Sequence, residues 1–344
     1  MRNFYVYFVC LAILAACSQS SEKATELERV VIAYVFSPRS MMEVDPTYIT
    51  HINYAFGHVN DDFNGVRIGN EELLHYVVSL KEQKPELKIL LSIGGWGSGR
   101  FSEMAACDTL RMAFAIDCKR VVDEFGLDGI DLDWEYPTNR AGGLISASPY
   151  DTRHFTRLVR DIRGTIGPNK LLTFASAANA LYVNFRAVEP YVDFVNIMTY
   201  DLENKRQGEP PWHHSGLHRS QWTWGSFSVE ESVLAHIEEG WPANRLVLGF
   251  HLANKGSVRG MTFLNADEFP DYVLQWDDVA KASWISDHEG NFLNTLECPR
   301  AVQYKSEFMH SMGMLGSMYW SYNNNETNRI LRKAIWDGVM NFNN

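Results

Sequence analysis

Short apolar runs rich in β-branched residues alternate with amphipathic stretches along most of the chain. The runs are "RVVIAYVF" (29–36), "ITHINYAFGHV" (49–59), "KILLSIGGW" (88–96), "LDGIDLDWE" (127–135), "KLLTFASAA" (170–178), "VDFVNIMTYD" (192–201), "RLVLGFHLA" (245–253) and "LGSMYWSY" (315–322). Between them, stretches such as "NEELLHYVVSLKEQKP", "DTRHFTRLVRDIRGTIG" and "SVEESVLAHIEEGW" carry apolar residues at helical spacing. Strands this uniformly apolar are buried on both faces, as in a parallel sheet covered by helices. Eight such units predict an α/β chain folded as a single (β/α)8 barrel over 29–344.

The fourth run breaks the apolar rule. "LDGIDLDWEYP" puts Asp128, Asp131, Asp133 and Glu135 among Ile130, Leu132 and Trp134. Side chains alternate faces on a strand, so Asp131, Asp133 and Glu135 share one face, with same-face neighbours roughly 6–7 Å apart. Carboxylates crowded in a buried strand cannot all ionise cheaply, so at least one should hold a proton near neutral pH. That is the requirement for a general acid. Asp128 lies off this alternation and reads as structural. Gly129 implies a close backbone approach.

In a (β/α)8 barrel the active site gathers at the C-terminal strand ends. Those ends here carry Tyr34, Phe56, Trp96, Glu135, Tyr200 with Asp201, and Trp320. Convergent aromatic faces suit a carbohydrate cleft. With Lys+Arg 31 against Asp+Glu 42, and no basic cluster, nucleic acid is excluded as a partner. No Cys/His spacing points to a metal, and no cofactor is expected. His213 and His214 sit in a Pro- and Trp-rich loop, where a surface or packing role is expected.

Residues 1–16 form an apolar leader, and "LAAC" (14–17) resembles the lipobox of bacterial lipoproteins. That resemblance implies lipidation at Cys17, a polar tether over 17–28, and an exported protein of the cell envelope, as an outer-membrane lipoprotein. The membrane would be met only through that anchor. With Cys10 and Cys17 set aside, Cys107, Cys118 and Cys298 remain. Were 108–125 one helix, Cys107 and Cys118 would stand roughly 16 Å apart, too far to bridge.

"DGIDLDWE" (128–135) resembles the D-G-x-D-x-D-x-E signature of glycoside hydrolase family 18, the chitinases and their relatives. "SIGGW" (92–96), "MTYD" (198–201) and Trp320 in "GSMYW" are similar to its third-, sixth- and eighth-strand motifs, and the resemblance runs from about Arg29 to Val339. It implies a monomeric chitinase acting on chitin or N-acetylglucosamine oligosaccharides by retaining, substrate-assisted hydrolysis. Glu135 would protonate the glycosidic oxygen, and Asp133 would orient the substrate acetamide. Asp131 would share a proton with Asp133, Tyr200 would hold the acetamide oxygen, and Trp320 would floor the cleaved sugar. Tyr34, Phe56, Trp96, Tyr136, Met198 and Asp201 complete the expected substrate-binding set.

Two departures stand out. The family's strand-seven Tyr-Gly-Arg is replaced by "ANK" (253–255), and the connection after strand seven is too short for the cleft-walling α+β insertion of many relatives. A short or reduced insertion predicts an open cleft. An endo-β-N-acetylglucosaminidase acting on N-glycan cores and a catalytically weak chitin-binding lectin are the alternative readings. Trp134 and "EYP" speak against the first, and the retained Glu135, Asp133, Asp131 and Tyr200 against the second.

Overall fold

The strands of the computed structural model, which describes residues 28–37, 39–140, 145–202, 212–223 and 227–342, are laid out as the apolar runs predict. They are β1 (Val30–Phe36), β2 (His51–Val59), β3 (Lys88–Gly94), β4 (Gly129–Asp133), β5 (Leu171–Ala177), β6 (Phe194–Met198), β7 (Leu246–His251) and β8 (Gly316–Trp320). All pair in parallel with their chain neighbours, and β1 pairs with both β2 and β8, which closes the barrel. The expected leader, Cys10, Cys17 and the tether up to residue 27 lie outside the described residues.

Alternation within β1 shows why the runs are continuously apolar. Val31, Ala33 and Val35 pack outward against the helical layer, while Val30, Ile32 and Tyr34 pack into the barrel. The helix Asp151–Ile166 covers its strands with Phe155, Leu158, Val159 and Ile162, a three- and four-residue spacing that makes one apolar stripe. Helix Val229–Glu238 starts on a reciprocal capping box between Ser228 and Glu231. The β5–β6 connection carries only one helical turn, Phe185–Val188.

After β7 the chain builds a small antiparallel sheet from Lys255–Gly256, Val273–Asp277, Ala282–Ser286 and Phe292–Leu296. Val258, Met261, Ile285 and Leu296 give it a core of its own. The insertion is therefore reduced but ordered. A buried ion pair ties it to the barrel layer: Lys305 Nζ donates to Glu297 Oε2 at 2.6 Å and to Ser215 Oγ at 2.9 Å. Its strands, "VLQWD", "ASWIS" and "FLNTL", escaped assignment because polar residues interrupt each apolar run.

Cys107, Cys118 and Cys298 are free. Cys107 precedes the helix Asp108–Phe125, and Cys118 faces the core from within it. His213 and His214 are both buried, so the loop that holds them serves packing, not the surface. His213 Nε2 lies 3.1 Å from Asp277 Oδ2.

Candidate active site

Glycines let the strands around β4 come close enough to build the site. A Cβ on Gly129 would meet Leu171 O at 2.0 Å, and one on Gly94 (φ +130°) would meet Asp133 O at 2.0 Å. Gly95 N then donates to Asp133 O at 2.9 Å, pinning the end of β3 to the acidic strand. Asp128 stays outside the site. Its Oδ2 accepts from Ile89 N at 2.8 Å, and Lys81 pairs with it at 2.5 Å.

The three same-face acids stand at successive depths. Asp131 is wholly buried, and its two oxygens accept four side-chain hydrogen bonds. Tyr34 Oη (2.9 Å) and Ser92 Oγ (2.8 Å) donate to Oδ2; Thr173 Oγ1 (2.6 Å) and Asn196 Nδ2 (3.1 Å) donate to Oδ1. Burial pushes its carboxyl up, and the Thr173, Ser92, Tyr34 and Asn196 donors act against that rise. Asp133 has no such cradle: its Oδ1 is buried without a partner. Burial, with the Glu135 and Asp131 charges adding, holds Asp133 well above the usual carboxylate range. Glu135, at the mouth, is pushed up to about 7 by burial, with the Asp201 charge adding.

One expectation is corrected by these contacts. Tyr34 is not a cleft residue: its side chain is buried in the barrel, where its hydroxyl serves Asp131. β1 continues two residues further, so Phe36, 41% exposed, takes the cleft position at its end.

The remaining expected residues converge on one cleft of about 980 Å³, lined by Asp133, Glu135, Phe56, Trp96, Tyr136, Met198, Tyr200, Asp201 and Trp320. Trp320 stacks on Phe56 at 5.6 Å and 20°, with Phe36 at 5.6 Å from Trp320. On the other side, Tyr136 stacks on Tyr182 at 4.9 Å and 11°, and Trp96 meets its edge at 6.5 Å. Trp96 is 65% exposed, a free aromatic face at the rim. Tyr200 leans edge-on against His251 at 5.5 Å. Gly249 leaves it that room, since a Cβ there would meet Tyr200 Cε1 at 3.0 Å. Burial, followed by the Asp133 and Glu135 charges, drives the Tyr200 hydroxyl well above its ordinary range, so it remains a donor.

Asp201 follows in the left-handed region at φ 56°. Burial alone would raise its carboxyl, but His214 and Lys255 outweigh burial and hold it far below the usual range. No residue of the strand-seven insertion lines the cleft among the described residues, which leaves that side low.

Several contributors were not anticipated from sequence: Phe36, Tyr182, His58 and Asn139 on the cleft, and Ser92, Thr173 and Asn196 beneath it. The last three did leave a trace, as single polar residues at inward positions of apolar strands. Ser92 and Thr173 are even the register partners of Asp131 on either side.

The family model of the glycosyl hydrolases family 18 matches residues 20–325. The chain belongs to that family. Among solved structures, a family 18 N-acetylglucosaminidase from Paenibacillus barengoltzii superposes with a TM-score of 0.81 at 32% identity, covering 91% of this chain and 100% of the other. Chitinase A1 of Niallia circulans is 25% identical over 87% of this chain and 56% of its own length. Chitotriosidase-1 of Mus musculus is 31% identical over 62% of this chain and 48% of its own. The chain thus spans about half the length of the curated relatives it matches. Family 18 membership agrees with the closed parallel barrel and with the order of the four strand-end motifs.

Proposed function

We propose that this family 18 chain hydrolyses β-1,4-linked N-acetylglucosamine oligomers with retention, the substrate's own acetamido group acting as nucleophile. The observation that carries the reading is the pairing of Glu135, held up to about 7 at the mouth, with Asp133, whose buried Oδ1 has no protein partner. A carboxyl that keeps its proton near neutrality can transfer it. A buried, uncommitted acceptor behind it suits the acetamide N–H of the reacting sugar.

Glu135 gives its proton to the glycosidic oxygen as the anomeric C–O bond breaks, and the acetamido oxygen closes on the anomeric carbon. With the proton of the Asp131–Asp133 pair lying on Asp131, Asp133 is ionised, accepts the acetamide N–H and opposes the positive oxazolinium, an interaction strengthened in a water-poor pocket. Tyr200 donates to the acetamide oxygen, and Trp320 stacks under the sugar. Water then attacks the anomeric carbon, passes its proton to Glu135, and the acetamide is restored with net retention. Asp131 touches no substrate; it is a positioning residue that holds the proton of the pair below Asp133. The names of the relatives, chitinases and an N-acetylglucosaminidase, support the substrate class.

The protein is further proposed to act as a monomer, exported and anchored by a lipid on Cys17. A Cys17→Ala variant should then appear in soluble fractions, and its retention in membranes would refute the anchor. For the reaction, the purified protein is incubated in parallel with chitin oligomers, cellulose oligomers and a high-mannose glycoprotein, and the products are identified by mass spectrometry. Cleavage of the chitin oligomers alone is expected. Release of the glycan as the sole product would instead establish an N-glycan endoglycosidase, and binding without cleavage a lectin.

A further inference from the structure

Where the family places a strand-seven Tyr-Gly-Arg, this chain has Ala253, Asn254 and Lys255, and Lys255 reaches back to Asp201 from behind the cleft wall. Its ammonium pairs with Asp201 Oδ1. From the other side, His214 Nδ1 lies 3.6 Å from the same oxygen and 3.4 Å from the Asp201 backbone N–H. The main chain of His214 is engaged as well, since Leu202 N donates to His214 O at 2.9 Å. His214 is 1% exposed and its ring meets His251 edge-on at 5.5 Å, while His251 in turn supports Tyr200. Asp201 is therefore gripped by groups from two separate segments, the loop at 212–217 and the start of the insertion.

We propose that Lys255 and His214 are positioning residues that clamp Asp201 at the cleft wall, Lys255 through the carboxylate and His214 through the backbone N–H, and that this clamp sets the upper pH limit of the reaction. The proposal rests on Glu135 being the proton donor. Glu135 is faced by Asp133 and Tyr136 of its own segment and by Tyr200 and Asp201 from the end of β6. Asp201 is faced by Lys255 and His214, with His251 behind them. A negative Asp201 makes Glu135 keep its proton to higher pH, and the Lys255 charge offsets part of that field. Lys255→Met leaves the Asp201 field less compensated, so Glu135 should release its proton at higher pH. Asp201→Asn removes the field and moves the release the opposite way. A unit charge roughly 12 Å from a titrating group, at an effective dielectric of about 20, shifts it by about one pH unit.

The test follows the Glu135 carboxyl carbon by 13C NMR, assigned through Glu135→Gln, alongside the pH profile of kcat/KM on a soluble chitin oligomer. Lys255→Met is expected to move both the carbon titration and the alkaline limb upward by about one unit, and Lys255→Arg to restore them. His214→Gln should move them in the same direction by less, and Asp201→Asn should move them down. An unchanged titration in Lys255→Met overturns the clamp, including the case where activity falls at every pH, which would make Lys255 a sugar contact. If His214→Gln leaves the titration in place, the His214 half fails. Absence of hydrolysis by the wild type would refute the functional reading instead, and the carbon titration would still decide the clamp.

Discussion

Asp131 and Asp133 stand two residues apart on one face of one strand, both buried, and their surroundings are opposite. The barrel floor gives Asp131 four donors from four strands. The cleft mouth gives the buried oxygen of Asp133 none. Burial pushes both carboxyls up, so depth does not distinguish them. What differs is the supply of hydrogen bonds to the charged form, which offsets the cost of burial at the floor and leaves it unrelieved at the mouth. The floor is structure; the mouth is chemistry.

Changes at the mouth should have the largest effect. Glu135→Gln keeps shape and hydrogen-bonding capacity but removes the transferable proton, so kcat should fall by about 10²–10⁴-fold while oligosaccharide binding persists. Turnover within tenfold of wild type would dissolve the contrast altogether. Asp133→Asn removes the charge opposing the oxazolinium, and about 10²–10³-fold is expected in kcat, as for loss of one electrostatic stabiliser in a dry site. Single-turnover kinetics would separate that loss from a change in binding.

At the floor the expected damage is to stability. Thr173→Val is nearly isosteric and deletes the 2.6 Å donor to Asp131 Oδ1. Leaving that buried carboxyl short of one bond should cost about 1–3 kcal/mol in denaturant unfolding, with Thr173→Ser restoring it. A Thr173→Val protein as stable as wild type but catalytically dead would reverse the assignment of floor and mouth.

The smallest effect is a pH dependence. Glu135 binds its proton more tightly folded, up to about 7, than at its ordinary 4.5. The stability it contributes is therefore present below about 4.5 and lost as pH rises through about 7. Thermal unfolding of wild type relative to Glu135→Gln should show wild type losing ground across that window. A difference that stays flat with pH would mean Glu135 titrates as an exposed acid.

The depth order of the acids was readable because a strand's alternation is a property of neighbouring residues alone. The continuous apolar runs likewise carried the closed barrel, since a strand buried on both faces leaves no polar side. The run 29–36 ended where β1 ends, yet Tyr34 was misplaced at the cleft because which inward residue reaches the mouth depends on the stagger of neighbouring strands, and Phe36 holds that place. The four-donor cradle needed the register between strands, which no single run encodes. Lys255 and His214 were beyond reach for another reason. Their approach to Asp201 depends on the paths of a loop and of the insertion, set by packing between segments distant in sequence.

The most direct test of the account is the anomeric form of the first product. Hydrolysis of a chitin tetramer is followed by 1H NMR within the first minutes, before mutarotation, with a 2-hydroxy analogue of the tetramer as control. The new reducing end should appear as the β-anomer, and the analogue, which has no acetamido nucleophile, should not be cleaved. An α-anomer as first product, or cleavage of the analogue at a comparable rate, would contradict it.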